Sequence, residues 1–262
     1  MFFPGQNLFV TIVRTSLAAL GIIILALGSE RLLKRDFGPG SPLSTLGLKP
    51  SRRALTGLLL GTLGAIFVIG LITACLWLIA PFRFEPGSLT ASEAYHTINM
   101  FFWSNVGEEL VFRGYLLLIL AHRFGLRPAL LLTAIVFGLF HLPGLSGLAA
   151  VKMVFTTAAF SYLFSAAFLK TGTLWTAIAL HFFANVFLHK VNGLSGGSAL
   201  LKPIFQNGYP AADPGTILML VIPLSAAWFL FAKSPRVQLQ TAASIHPPIL
   251  KSSIAKLRPN RE

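Results

Sequence analysis

The sequence predicts an all-α protein, a polytopic transmembrane helical bundle of about seven spans. Three observations predict it. Of the 262 residues, 55% are hydrophobic and only 11% are charged, where a soluble domain carries about a quarter. Mean hydropathy is +0.74. The apolar residues also fall in runs close to the length of about 20 that carries a helix across a bilayer.

The runs justify the elements in order. Residues 8–28 read as a retained first span, because "MFFPGQNLFVTIV" has no basic leader and no small-residue cleavage site follows it. The stretch 38–53 is rich in Pro, Gly and Ser, a surface loop. The second span, 54–80, contains Gly57 and Gly61, a GxxxG packing motif. The third span is 97–121 and carries charge. The fourth, 128–142, is short for a crossing. Spans at 149–169, 173–189 and 214–232 complete the set. Residues 1–232 are expected to form one transmembrane domain, with its functional core at 97–190. Residues 233–262 lose the apolar pattern and read as a basic, disordered tail.

The net charge is +13. Its placement points to membrane orientation, not to nucleic acid: no motif or aromatic–basic face supports the latter. Basic residues cluster at 29–53, at Arg123 and Arg127, at Lys170 and in the tail, while the intervening loops hold few. The positive-inside rule then puts the C-terminus in the cytosol of a multi-pass protein, here expected in a bacterial inner membrane with the lipid bilayer as its partner. The only cysteine, Cys75, excludes an intrachain disulfide and multi-cysteine metal sites.

A charge at the bilayer centre costs roughly 2.5–3.5 kcal/mol on insertion scales and marks function. Polar residues expected at that depth are Glu108, Glu109, Arg113, His141, His181 and Asn185, with His189 near a helix end. Glu109 and Arg113 are four apart, acid first, the favourable order for an ion pair on one helix face. Glu108 is rotated about 100° from Glu109 and points to a different wall. Arg113 is therefore expected to neutralise Glu109 and leave Glu108 free for chemistry. His181 and Asn185 share a face, and His141 closes "FGLFH" just before a Pro-Gly break.

A carboxylate in a partly dry pocket has its charged form disfavoured, which makes it the better base. Glu108 can then take a proton from water, with His141 orienting that water. His181 and Asn185 suit the donors a tetrahedral oxyanion needs. Nucleophilic serine or cysteine catalysis is not expected. Two or three histidines with a glutamate can also bind zinc, in which case the ligands would be Glu108, His141 and His181. A non-catalytic immunity or scaffold protein that keeps the site, and a proton or metal transporter, are the competing readings.

"EELVFR" (Glu108 to Arg113), "FGLFH" (Phe137 to His141) and "HFFAN" (His181 to Asn185) fit EExxxR, FxxxH and HxxxN motifs, in order. Over 97–190 the chain resembles the CPBP family of intramembrane proteases, which includes type II CAAX prenyl endopeptidases and bacterial Abi or bacteriocin-processing proteins. The resemblance implies a helical bundle whose cavity hydrolyses a membrane-associated protein or peptide. It implies Glu108 and His141 as the water-activating pair and His181 with Asn185 as the oxyanion site. Family names also say metalloprotease, so the resemblance leaves open whether zinc takes part. His189 has no counterpart in it.

Overall fold

The computed structural model describes residues 46–232 and five helical positions between 20 and 31. The remainder of the expected first span and the tail 233–262 lie outside the described residues. Helix α1, Arg52–Ile79, starts where Ser51 Oγ accepts from the Ala54 amide at 3.1 Å, satisfying one of the donors a helix start leaves open. Strand β1, Phe82–Pro86, follows. Helix α2, Ala91–Glu109, begins at a capping box: Glu93 N–H donates to Thr90 Oγ1 at 3.2 Å, and Glu93 accepts from Thr90 N–H at 2.9 Å.

The same rod continues without a break through a π-helical stretch, Leu110–Leu116, into α3, Leu117–Phe124. Gly125, at φ 84°, ends it, a backbone angle that glycine takes without steric cost. Helix α4 is Leu126–Phe140, α5 is Gly147–Thr171 and α6 is Leu174–Val186, extended by a second π stretch, Phe187–Val191. Strand β2, Leu201–Phe205, precedes α7, Pro214–Ala232.

Among the described residues, four helices are long and apolar enough to cross a membrane: α1, α5, α6 with its π extension, and α7. The chain is an integral membrane protein with an all-α bundle. The count of seven spans is not reached among the described residues. Helix α4 has 15 residues, about 22 Å at 1.5 Å per residue, short of a bilayer core of about 30 Å. The charged rod begins at Ala91, six residues before the expected span, because the capping box starts it outside the apolar run.

One feature departs from the helical expectation. β1 and β2 pair antiparallel, Phe82 opposite Phe205 and Pro86 opposite Leu201. Alternation over only five residues, with Pro at a strand end, gave no strand period to read. The pair clasps the end of α1 to the loop before α7. At the same end, Asp213 accepts from Lys152 Nζ at 2.5 Å, Thr216 Oγ1 at 2.7 Å and Tyr209 OH at 2.8 Å. Burial alone would raise the Asp213 carboxyl; those hydrogen bonds outweigh it and hold the group well below the usual carboxylate range.

The core lies where α1 crosses α6. Gly57 and Gly61 face α6, and a methyl on Gly57 would stand 2.5 Å from Thr173 Cγ2. At the opposite end from the strands, residues 46–48 run over the α5–α6 turn. Leu46 O accepts from Leu174 N, Gly47 O from Thr173 Oγ1, and Leu48 O from Trp175 Nε1.

Candidate active site

The two acids of α2 separate onto two walls. Glu108 Oε1 accepts from Ser104 Oγ, one turn earlier, at 2.7 Å. Its Oε2 is buried, forms no hydrogen bond with protein, and lies 3.8 Å from His141 Nε2. His141 ends α4, where its Nδ1 is 2.8 Å from the Phe137 carbonyl. A carbonyl only accepts, so Nδ1 carries the hydrogen and, in the neutral ring, Nε2 turns its lone pair to Glu108.

Glu109 lies on the other wall and is fully buried, as is Arg113. Arg113 Nη1 donates to Glu109 Oε1 at 2.9 Å. The rest of the guanidinium is spent on α5: Nη2 donates to Ser161 Oγ at 2.7 Å and Ser161 O at 2.9 Å, and Nε to Ser165 Oγ at 3.3 Å. Its carbon stands 4.7 Å from the Phe137 ring centroid and 5.3 Å from that of Phe164, within cation–π range. The π stretch holds this arrangement in the rod; such bulges widen a helix and re-aim its side chains.

Glu109 Oε1 also meets His181 Nδ1 at 2.8 Å. The imidazole stacks on Phe164 at 4.6 Å and meets Phe137 edge-on at 5.8 Å. Phe137 thus touches both imidazoles, since His141 lies 4.7 Å from the same ring. The structure brings Glu108 to His141 and Glu109 to His181, and one phenyl ring keeps the two pairs adjacent.

Asn185 Nδ2 is 3.3 Å from Asn105 Oδ1. Asn105, 2% exposed, escaped the sequence reading. So did Ser104, Ser161, Ser165 and Phe164. The signal for Asn105 was available: it lies four residues before Glu109 and therefore on its face. His189, one turn beyond Asn185, packs its ring 5.7 Å from Phe101. Between antiparallel α2 and α6 the contacts form a ladder with a four-residue step on each helix: Phe101 with His189, Asn105 with Asn185, Glu109 with His181.

One serine bears on the expectation that none is set up for nucleophilic attack. Residues 193–197 read GLSGG, a G-x-S-x-G match, and Ser195 Oγ lies 2.6 Å from His189 Nδ1. Ser195 is exposed on a loop that leaves a helix and leads to a strand. The nucleophile elbow of that motif runs from strand to helix, so the context differs. His189 pins the loop.

Among the described residues no three His, Cys, Asp or Glu side chains are placed to hold one metal ion. His181 turns Nδ1 to Glu109, and Glu108 is approached by His141. Two cavities of about 510 Å³ each lie by the strand pair, lined by residues such as Leu201, and neither includes Glu108, Glu109, His141, His181 or Asn185.

Residues 90–187 match the family model described as type II CAAX prenyl endopeptidase Rce1-like. The match takes in all three polar motifs and stops before His189 and the strand β2. No curated protein and no solved structure matches the chain.

Proposed function

From the match of residues 90–187 to the Rce1-like family model and the resemblance to the CPBP family, we propose that the protein is an intramembrane endopeptidase that hydrolyses a peptide bond with water activated by Glu108. The observation that carries this reading is the buried Glu108 Oε2, unbonded to protein and facing His141 Nε2. Both are acceptors. A water that donates one hydrogen to each turns its oxygen lone pair outward, toward a substrate carbonyl.

In the forward step that oxygen bonds to the carbonyl carbon, its proton passes to Glu108, and the carbonyl π electrons move onto oxygen. His181 and Asn185 receive the oxyanion. For His181 this fixes a protonation state. Nδ1–H is committed to Glu109, so an Nε2–H donor means the imidazolium, and two carboxylates then balance Arg113 and His181. Collapse breaks the C–N bond, and Glu108 returns its proton to the leaving amine. Each oxyanion donor of this kind contributes about 10²–10³ in kcat. No step passes through a metal.

The substrate is a membrane-associated protein or peptide, and the matched family's description, a CAAX prenyl endopeptidase, makes a prenylated CAAX peptide the first one to test. The end of the bundle bearing Arg52, Arg53, Arg123, Arg127 and Lys170 faces the cytosol of a bacterial inner membrane. The test is cleavage of an internally quenched prenylated CAAX peptide by protein in proteoliposomes. Wild type cleaves it, Glu108→Gln does not, and EDTA or phenanthroline leaves the wild-type rate unchanged. Cleavage that survives Glu108→Gln overturns the reading. Loss to chelator, restored by zinc, overturns its metal-free form.

A further inference from the structure

The geometry points to Asn105 as a positioning residue for the oxyanion site, acting through Asn185. This rests on the endopeptidase reading. Asn105 is on α2 and Asn185 on α6, so the contact joins the helix that carries the base to the helix that carries the donors. In one orientation of the Asn105 amide, its oxygen accepts from Asn185 Nδ2 at 3.3 Å. In the other, the oxygen accepts from Asn185 Nδ2 at 3.1 Å and from the Phe182 amide at 3.3 Å, while the nitrogen donates to Phe101 O at 3.3 Å. In both, Asn185 Nδ2 lies within 3.3 Å of the Asn105 oxygen and of its nitrogen, and the shorter approach to the oxygen is made in the second.

An Asn side chain can turn over and exchange its oxygen for its nitrogen. An oxyanion site needs the nitrogen. In the second orientation the Phe182 amide and the Phe101 carbonyl hold Asn105 in place, and an Asn185 amide that turned over would set its own oxygen 3.1 Å from the Asn105 oxygen. The second Nδ2 hydrogen then stays available for the reacting oxygen. Asn105 is buried, so the wrong orientation would leave polar atoms without partners in a dry site, a penalty larger than the bond itself.

The ladder explains why Asn105 can do this and a neighbour cannot. It lies one turn before Glu109 and faces α6, whereas Ser104 faces Glu108. The outward Ser104–Glu108 stripe holds the base and the inward Asn105–Glu109 stripe holds the two oxyanion groups.

The test is a double-variant cycle on the quenched prenylated peptide in proteoliposomes, with kcat and KM measured for wild type, Asn105→Ala, Asn185→Ala and both. Asn105→Ala is expected to lower kcat about 10–100-fold, the scale of a misplaced catalytic group, with KM within about twofold. In the Asn185→Ala background it should cost nothing further, because both changes remove the same donor. Asn105→Ser, polar but too short to reach Asn185, should behave as Asn105→Ala does, and replaces it if the alanine variant fails to fold. A full additional loss in the double variant, or unchanged kcat in Asn105→Ala or Asn105→Ser, overturns the assignment. Cleavage indifferent to Glu108→Gln instead sinks the hydrolytic reading, and the role of Asn105 with it.

Discussion

At the scale of single residues, the division between Glu108 and Glu109 is the decisive feature. Arg113 is fully buried and each of its nitrogens that bonds has a named partner. Removing it strands the Glu109 carboxylate, whose Oε2 is already without a partner. Breaking a buried pair from one side costs about 3–5 kcal/mol. Arg113→Ala should therefore abolish most folded yield, read by size-exclusion recovery and thermal melting in detergent. Adding Glu109→Gln should recover part of it; equal losses in the single and double variants would show that the charge is not the cause. The spacing of Glu109 and Arg113 made their contact legible in the sequence. The contact of Glu109 with His181 was not, because it joins positions 72 apart in the chain and no periodicity links them. From the sequence His181 was assigned to the oxyanion, or to zinc, whereas its Nδ1 meets the buried acid.

At the scale of elements, the helices were legible wherever an apolar run set their length. α1, α5, α6 and α7 lie within a few residues of the runs that foretold them. What the runs could not show were the π stretches and the strand pair. A π stretch adds a residue to a turn without changing composition, and five-residue strands have too few positions for a period. GxxxG in α1 offers a direct check on packing. A Cβ at Gly61 would meet the Thr176 carbonyl and the Leu180 amide of α6, while Gly70 has nothing within 4 Å. Gly61→Ile should destabilise by at least the roughly 1–3 kcal/mol of an overpacked core, because backbone cannot rotate aside. Gly70→Ile should melt within a degree or two of wild type. Equal effects at the two positions would refute the close approach of α1 and α6.

At the scale of the whole molecule, the bundle is fastened at both ends and leaves its polar pairs between. The Asp213 cluster is the fastening on the strand side. Its carboxyl is depressed in the folded state, so its contribution is present above the ordinary carboxylate value and is lost only as pH falls through and below that value. Asp213→Asn should therefore lower the melting temperature by the same amount at pH 6 and at pH 8. The gap should close only in acid, and a gap that changes between pH 6 and 8 would assign the effect to another group. Between the fastenings, α2, α4 and α6 carry the proposed base, water-orienting imidazole and oxyanion donors on separate helices. The proposed hydrolysis requires Glu108 and His141 to act on one water. Turnover of the quenched peptide by Glu108→Gln, His141→Gln and the double variant tests this most directly. Each single change should lower kcat by about 10²–10⁴, the range for a lost general base, and the double variant should be no worse than Glu108→Gln. Wild-type turnover in Glu108→Gln, or losses that multiply in the double variant, would contradict it.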